Sequence, residues 1–169
     1  MSLSMHSASV PVFVRQFNSM LVFLDKAQAH AEARKFDTGN YLGMRLAPDM
    51  LPLSRQVQIA SDGAKGCVAR LSRQEAPKWE DNEATLDQLR ERIRKTIDYV
   101  QSVPASSIDG SEEREILLPT RSGEPMRFTG ENFLKHFALP NFFFHATMTY
   151  ALLRHAGVEL GKRDYLGAA

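Results

Sequence analysis

Apolar positions recur at helical spacing in four long stretches of the chain. From Ser9 to about Lys35, Val10, Phe13, Phe17, Leu21, Leu24 and Ala31 share one side of a helical wheel, while Arg15, Asp25, Lys26, Glu32 and Arg34 fall mostly elsewhere. This predicts an amphipathic helix of roughly seven turns. Ser7 or Ser9 is placed to cap its start, and Pro11 suits a first turn, where the missing N–H costs no hydrogen bond. Asp37-Thr38-Gly39-Asn40 reads as a turn, and Gly43, Pro48 and Pro52 discourage helix until about Leu51. A second helix follows to about Gln74, with Asp49 placed to cap it, Pro52 in its first turn, and an apolar stripe of Leu53, Val57, Ala60, Ala64, Cys67 and Leu71. Gly63 and Gly66 each cost a helix ~1 kcal/mol against alanine; with Ala60 and Ala64 they offer a small-residue face for close helix approach.

The connector EAPKWEDNEA holds the single tryptophan, and Thr85 with Gln88 then fits a capping box opening a third helix to about Ser102. Leu86, Leu89, Ile93, Ile97 and Val100 form its apolar stripe. Arg90, Glu91, Arg92, Arg94 and Lys95, interrupted by further acidic residues, are expected to be a solvated face. After the SSIDGSEE loop, the β-prone segments REILLPT and PMRFT around Arg121-Ser122-Gly123-Glu124 predict a small hairpin packing Ile116, Leu118 and Phe128 inward. The last helix starts at Thr129 and runs to His155 or Ala156, closed by Gly157 in a left-handed C-cap; the tail VELGKRDYLGAA is expected to be coil. The pattern is all-α: a four-helix bundle with a small β-hairpin before the last helix, forming one domain over residues 1–169.

Charge narrows the partners. Twenty-one Lys and Arg against 20 Asp and Glu leave a formal charge of +1 with no basic block, so neither nucleic acid nor an anionic membrane is an expected partner. The one cysteine, Cys67, cannot form an internal disulfide, and its place in an apolar stripe implies a buried, unreactive thiol. No apolar signal core and no run of ~18 apolar residues is present, which points to the cytoplasm. The GAKG segment lacks the Gly-Lys-Ser/Thr and preceding strand of a phosphate loop, and neither a dinucleotide fingerprint nor a Gly-x-Ser-x-Gly elbow occurs.

Candidate chemistry concentrates in the last helix, which carries His136, His145 and His155, three of the five histidines. Asn141 and His145, four apart, share a face, while His136 projects nearly opposite His145. Pro140 removes the hydrogen bond to the His136 carbonyl and bends the helix, and such a kink beside Asn141 can line a wet polar pocket between helices. The alternative is a satisfied core histidine, with Asn141 repairing the broken turn and the phenylalanines serving as core. His6, His30 and His155 read as structural or solvated.

Two stretches, RLAPDMLPLSRQVQIASDGAKG at 45–66 and FTGENFLKHFALPNFFFHATMTYALLRHAGVELGKRDYLG at 128–167, resemble an uncharacterised bacterial domain family of the DinB/YfiT-like superfamily. The resemblance covers nearly the whole chain. It implies a four-helix bundle, often homodimeric, whose metal-binding relatives use one histidine of the second helix and a His-x-x-x-His pair on the fourth. Carried over, His145 stands on the second histidine of that pair and Asn141 on the first, with Gln56 near the second-helix position; Asp49 and His136 remain as a carboxylate and a second imidazole. One expectation is a small polar ligand near Gln56, Asn141, His145, His136 and Asp49. The resemblance also implies an alternative, a divalent metal such as zinc or nickel on His145 serving a thiol-transferase or hydrolase reaction. A protein-interaction module is the third.

Overall fold

The computed structural model describes residues 3–120 and 123–167. In chain order the elements are α1 (Val10–Arg34), α2 (Gly39–Leu42), α3 (Leu53–Ser72), α4 (Leu86–Ser102), α5 (Ala105–Ile108), β1 (Glu115–Leu118), β2 (Met126–Thr129), α6 (Gly130–Phe133), a π-helical turn (Leu134–Ala138), α7 (Leu139–His155) and α8 (Lys162–Leu166). From α6 to α7 the helix is continuous, so four long helices carry the fold. α1 and α3 each pack against both α4 and α7, giving the ring order α1, α4, α3, α7 of a four-helix bundle. Among the described residues no helix is long and apolar enough to cross a membrane.

The apolar stripes meet in the centre. Phe13 and Phe17 of α1 place their rings edge-on to Phe142 of α7, with centroids 4.8 and 5.1 Å away. Met20, Phe23 and Ala27 widen the α1 stripe beyond its predicted members, and Leu21 sits at its partly buried edge. The hairpin is antiparallel, with Glu115 opposite Thr129 and Leu118 opposite Met126. Its inward side chains are the expected ones: Ile116 is buried, and Leu118 and Phe128 pack partly buried against the core. Arg121 and Ser122 of its expected turn lie outside the described residues.

Helix ends test the local reading. Thr85 caps α4, accepting from Gln88 N at 3.2 Å. Gly157, at φ +93°, closes α7 as expected: Val158 N donates to Leu153 O and Gly157 N to Arg154 O, both at 3.1 Å. Ser9 stands at the start of α1, but its hydroxyl donates backward to Met5 O at 2.6 Å instead of capping. Asp49 does not cap α3; Pro52 occupies that position, and Met44 O accepts the Leu53 amide at 3.0 Å. The expected coil at the end contains α8, held where Tyr165 stacks near Phe23 and shares a 2.8 Å hydrogen bond with the Thr147 hydroxyl, and where Asp164 takes Lys26 at 2.7 Å.

The largest correction concerns α4. Arg90 and Arg92, read as part of a solvated face, are only 6% and 3% exposed. Arg90 reaches α1, donating to Asp25 Oδ1 at 2.8 Å and Leu24 O at 2.9 Å. Arg92 is met by Asp62 of α3 and by Glu80 O, Asp81 and Glu83 of the connector, at 2.8 to 3.1 Å. Burial alone would raise the Asp81 and Glu83 carboxyls, but the hydrogen bonds and charge of Arg92, joined by Arg55 at Asp81 and by a Gln58 hydrogen bond at Glu83, outweigh it and hold both below their ordinary values.

Replacing Arg92 with alanine takes from Asp62, Asp81 and Glu83 the buried cation they share and should cost about 3 kcal/mol, read from urea denaturation. In the wild type, two carboxyls with depressed folded pKa contribute stability that is complete above their ordinary values of 3.8 and 4.5 and is lost as pH falls through the lower folded values. That acid-side loss should shrink in the Arg92 variant.

Candidate functional site

The α3–α7 seam brings together two of the predicted residues. His145 Nδ1 lies 2.7 Å from Gln56 Oε1, and the residue is 8% exposed. Gln56 Nε2 donates to Leu51 O at 2.9 Å, which presents the carboxamide oxygen to the imidazole. An oxygen there can only accept, so Nδ1 carries the ring proton and the Nε2 lone pair is uncommitted among the described residues. Burial pushes the imidazole below its ordinary pKa. Thr149 Oγ1 donates to the His145 carbonyl at 3.0 Å, tying the next turn to the same point.

Asn141 belongs elsewhere on the seam. The turn before Pro140 widens to π-helical, with Leu139 N donating to Leu134 O five residues back, so the proline ring escapes the clash with the fourth carbonyl that a regular helix imposes. Asn141 follows directly. A Cβ built at Gly63 of α3 would lie 3.3 Å from Asn141 Nδ2, so this glycine is the point where the two helices come close. Gly66 has a different role, leaving room for Arg70, whose Nη1 donates to Gly66 O at 2.9 Å.

Beside Gly63 and Asn141 opens a crevice of about 220 Å³. Ile59, Asp62 and Arg70 of α3 form one side, Phe133, Phe137 and Ala138 of the last helix the other, and Leu118 of β1 the end wall. The Asp62 carboxylate is spent on Arg92 at 3.0 Å and Lys65 at 2.9 Å, and Arg70 is folded back on its own helix. The Asn141 carboxamide has no hydrogen-bond partner among the described residues. The expected pocket is therefore divided: Gln56 and His145 close on each other, and neither lines this crevice.

His136 faces solvent from within the π turn, and Asp49 is exposed in the loop before α3, so neither joins the seam. His30 is satisfied by the Tyr41 hydroxyl, 2.6 Å from its Nδ1. Cys67 is buried, and desolvation, only partly offset by Arg70, pushes its thiol up to about 12. Sequence reasoning missed Ile59 and Arg70 as site residues. With Gly63 and Gly66 they make a four-three-four spacing along one helix strip, a signal that the core stripe beside it obscured.

Among the described residues no group of three or more His, Cys, Asp or Glu is placed to hold a metal ion. His145 offers one nitrogen, Gln56 spends its oxygen on that same ring, and Asn141 is an amide; this donor set does not fit zinc or nickel.

The model of DUF1993, a domain of unknown function, matches residues 5–166. A crystal structure of a DinB family member protein from Shewanella denitrificans is 40% identical, with a TM-score of 0.89 over 97% of this chain and 92% of that one. Comparison with curated proteins finds no match.

Gln56→Leu removes the acceptor of the Nδ1 proton and should cost about 1–3 kcal/mol. Imidazole nitrogen NMR should find Nδ1–H in the wild type and a shift toward Nε2–H in the variant. Because the folded pKa of His145 is lowered, its contribution to stability is complete above the ordinary value of 6.5 and is lost as pH falls from there through the folded value.

Proposed function

The chain belongs to the DUF1993 family, and from that premise we propose that it is a binding module whose crevice between α3 and the last helix takes a small ligand. One observation carries this reading: an uncommitted carboxamide, Asn141, stands at a largely apolar crevice whose other polar groups are already paired. A mostly apolar cleft with few polar groups is the usual form of a small-molecule site. The carboxamide presents a donor and an acceptor side by side, which matches a cyclic amide, a urea or a carboxylic acid. A cleft of about 220 Å³ lies below the ~300–1,000 Å³ of drug-sized sites, so the ligand is small.

A metal-dependent transferase or hydrolase finds no comparable support, because His145 and Asn141 do not converge on one point with a third ligand. Assembly as a homodimer is part of the same proposal, and light scattering at micromolar concentration tests it.

Thermal-shift and calorimetric screening against lactams, ureas and small carboxylic acids tests the binding reading. Gly63→Ala gains ~1 kcal/mol of helix propensity while crowding Asn141. Its melting temperature should hold or rise while affinity drops by about tenfold, with Asn141→Leu abolishing binding. A panel with no binder, or an Asn141 variant that binds as well as the wild type, would overturn the proposal.

A further inference from the structure

A second and much larger opening lies on the far side of the bundle from α3. This groove of about 1390 Å³ runs along the outward side of α1, with α8 as one wall and Gln101 of α4 at the other. Val10, Val14 and Val22 line its length, and Val22 and Leu166 remain 42% and 53% exposed. Twelve residues separate Val10 from Val22, about 18 Å of helix.

The α8 wall is fixed in place. Tyr165 anchors it against Phe23 and Tyr150, and Arg15 Nε donates to Leu166 O at 3.1 Å. Asp164 is paired with Lys26 at 2.7 Å and accepts Gly161 N at 2.8 Å, so its charge is already offset. Arg15 and Arg163 line the groove with no carboxylate partner among the described residues, which leaves it cationic. On the floor, Ser19 is buried and its Oγ has no hydrogen-bond partner among the described residues. A largely apolar groove that holds two guanidiniums without carboxylate partners among the described residues, with an unsatisfied hydroxyl beneath, lacks both an apolar and an anionic complement.

We propose that this groove is a binding site for a free long-chain carboxylate. The alkyl chain lies against Val10, Val14, Val22 and Leu166, and the Arg15 and Arg163 guanidiniums supply the positive charge that holds the carboxylate.

Calorimetric titration of the whole protein with octanoate, decanoate and dodecanoate, each below its micelle concentration, tests this. Affinity should tighten by roughly two- to fourfold per methylene. It should fall by about tenfold in Arg163→Glu and in Val22→Glu, both exposed positions whose variants keep the wild-type melting temperature. Should either lose its fold, Leu166→Ser supplies the same comparison. Dodecyltrimethylammonium should not bind, and Asn141→Leu should leave dodecanoate affinity unchanged, which separates this site from the α3–α7 crevice. Equal binding by the Arg163 and Val22 variants, or by the cationic amphiphile, overturns the proposal. So does adsorption to phosphatidylglycerol vesicles without binding of any free acid, which would make the groove a membrane contact.

Discussion

Two guanidinium ions withdrawn from water on a single helix set much of the architecture, because a buried cation must be met by acceptors from whatever elements surround it. Arg90 and Arg92 are two residues apart, so they project to nearly opposite sides of α4. Arg90 therefore reaches α1 and Arg92 reaches α3, the two neighbours between which α4 sits in the ring. The connector before α4 is drawn in by the same demand, since Glu80 O, Asp81 and Glu83 all serve Arg92. Lys65 joins the same network, paired to Asp62 and placed 4.2 Å over the Trp79 ring. A segment with no repeating apolar pattern is thus ordered by charge.

The opposite side of α3 is governed by a steric constraint. Pro140 cannot continue a regular helix past its fourth preceding carbonyl, and the chain answers with one wider turn instead of a break. That turn shifts the register of the remainder of the helix, placing Asn141 against Gly63 and His145 level with Gln56. The hairpin, which the sequence marks only as an appendage, closes the end of the resulting crevice with Leu118. Gly130 lets the hairpin pass into the helix, for a Cβ there would meet Ser111 O at 2.0 Å.

Polar groups in this bundle divide between those consumed by the fold and those left open. His145, the most promising single residue for chemistry, spends Nδ1 on Gln56 and is held neutral by burial. Asp62 and Arg70 are also engaged internally. The Asn141 carboxamide and the Arg15 and Arg163 guanidiniums stand beside open volume with hydrogen-bonding capacity that the fold does not exhaust. Binding at these two places is compatible with a family that has no assigned reaction.

Periodicity alone determined the four long helices, their inward stripes and the hairpin before the last of them, because amphipathic spacing is a local property of the chain. Local chemistry likewise determined the Thr85 cap and the Gly157 stop, each set by residues within one turn. Only the tertiary structure decided that Asp49 leaves α3 uncapped, that Arg90 and Arg92 are buried, and that the tail forms α8. Those outcomes depend on Met44 O, Asp25, Asp62 and Phe23, partners supplied by other elements. The candidate site divided for the same reason. Spacing could put Asn141 and His145 on one helix face, but what each meets was fixed by where Gly63 and Gln56 stand on another helix.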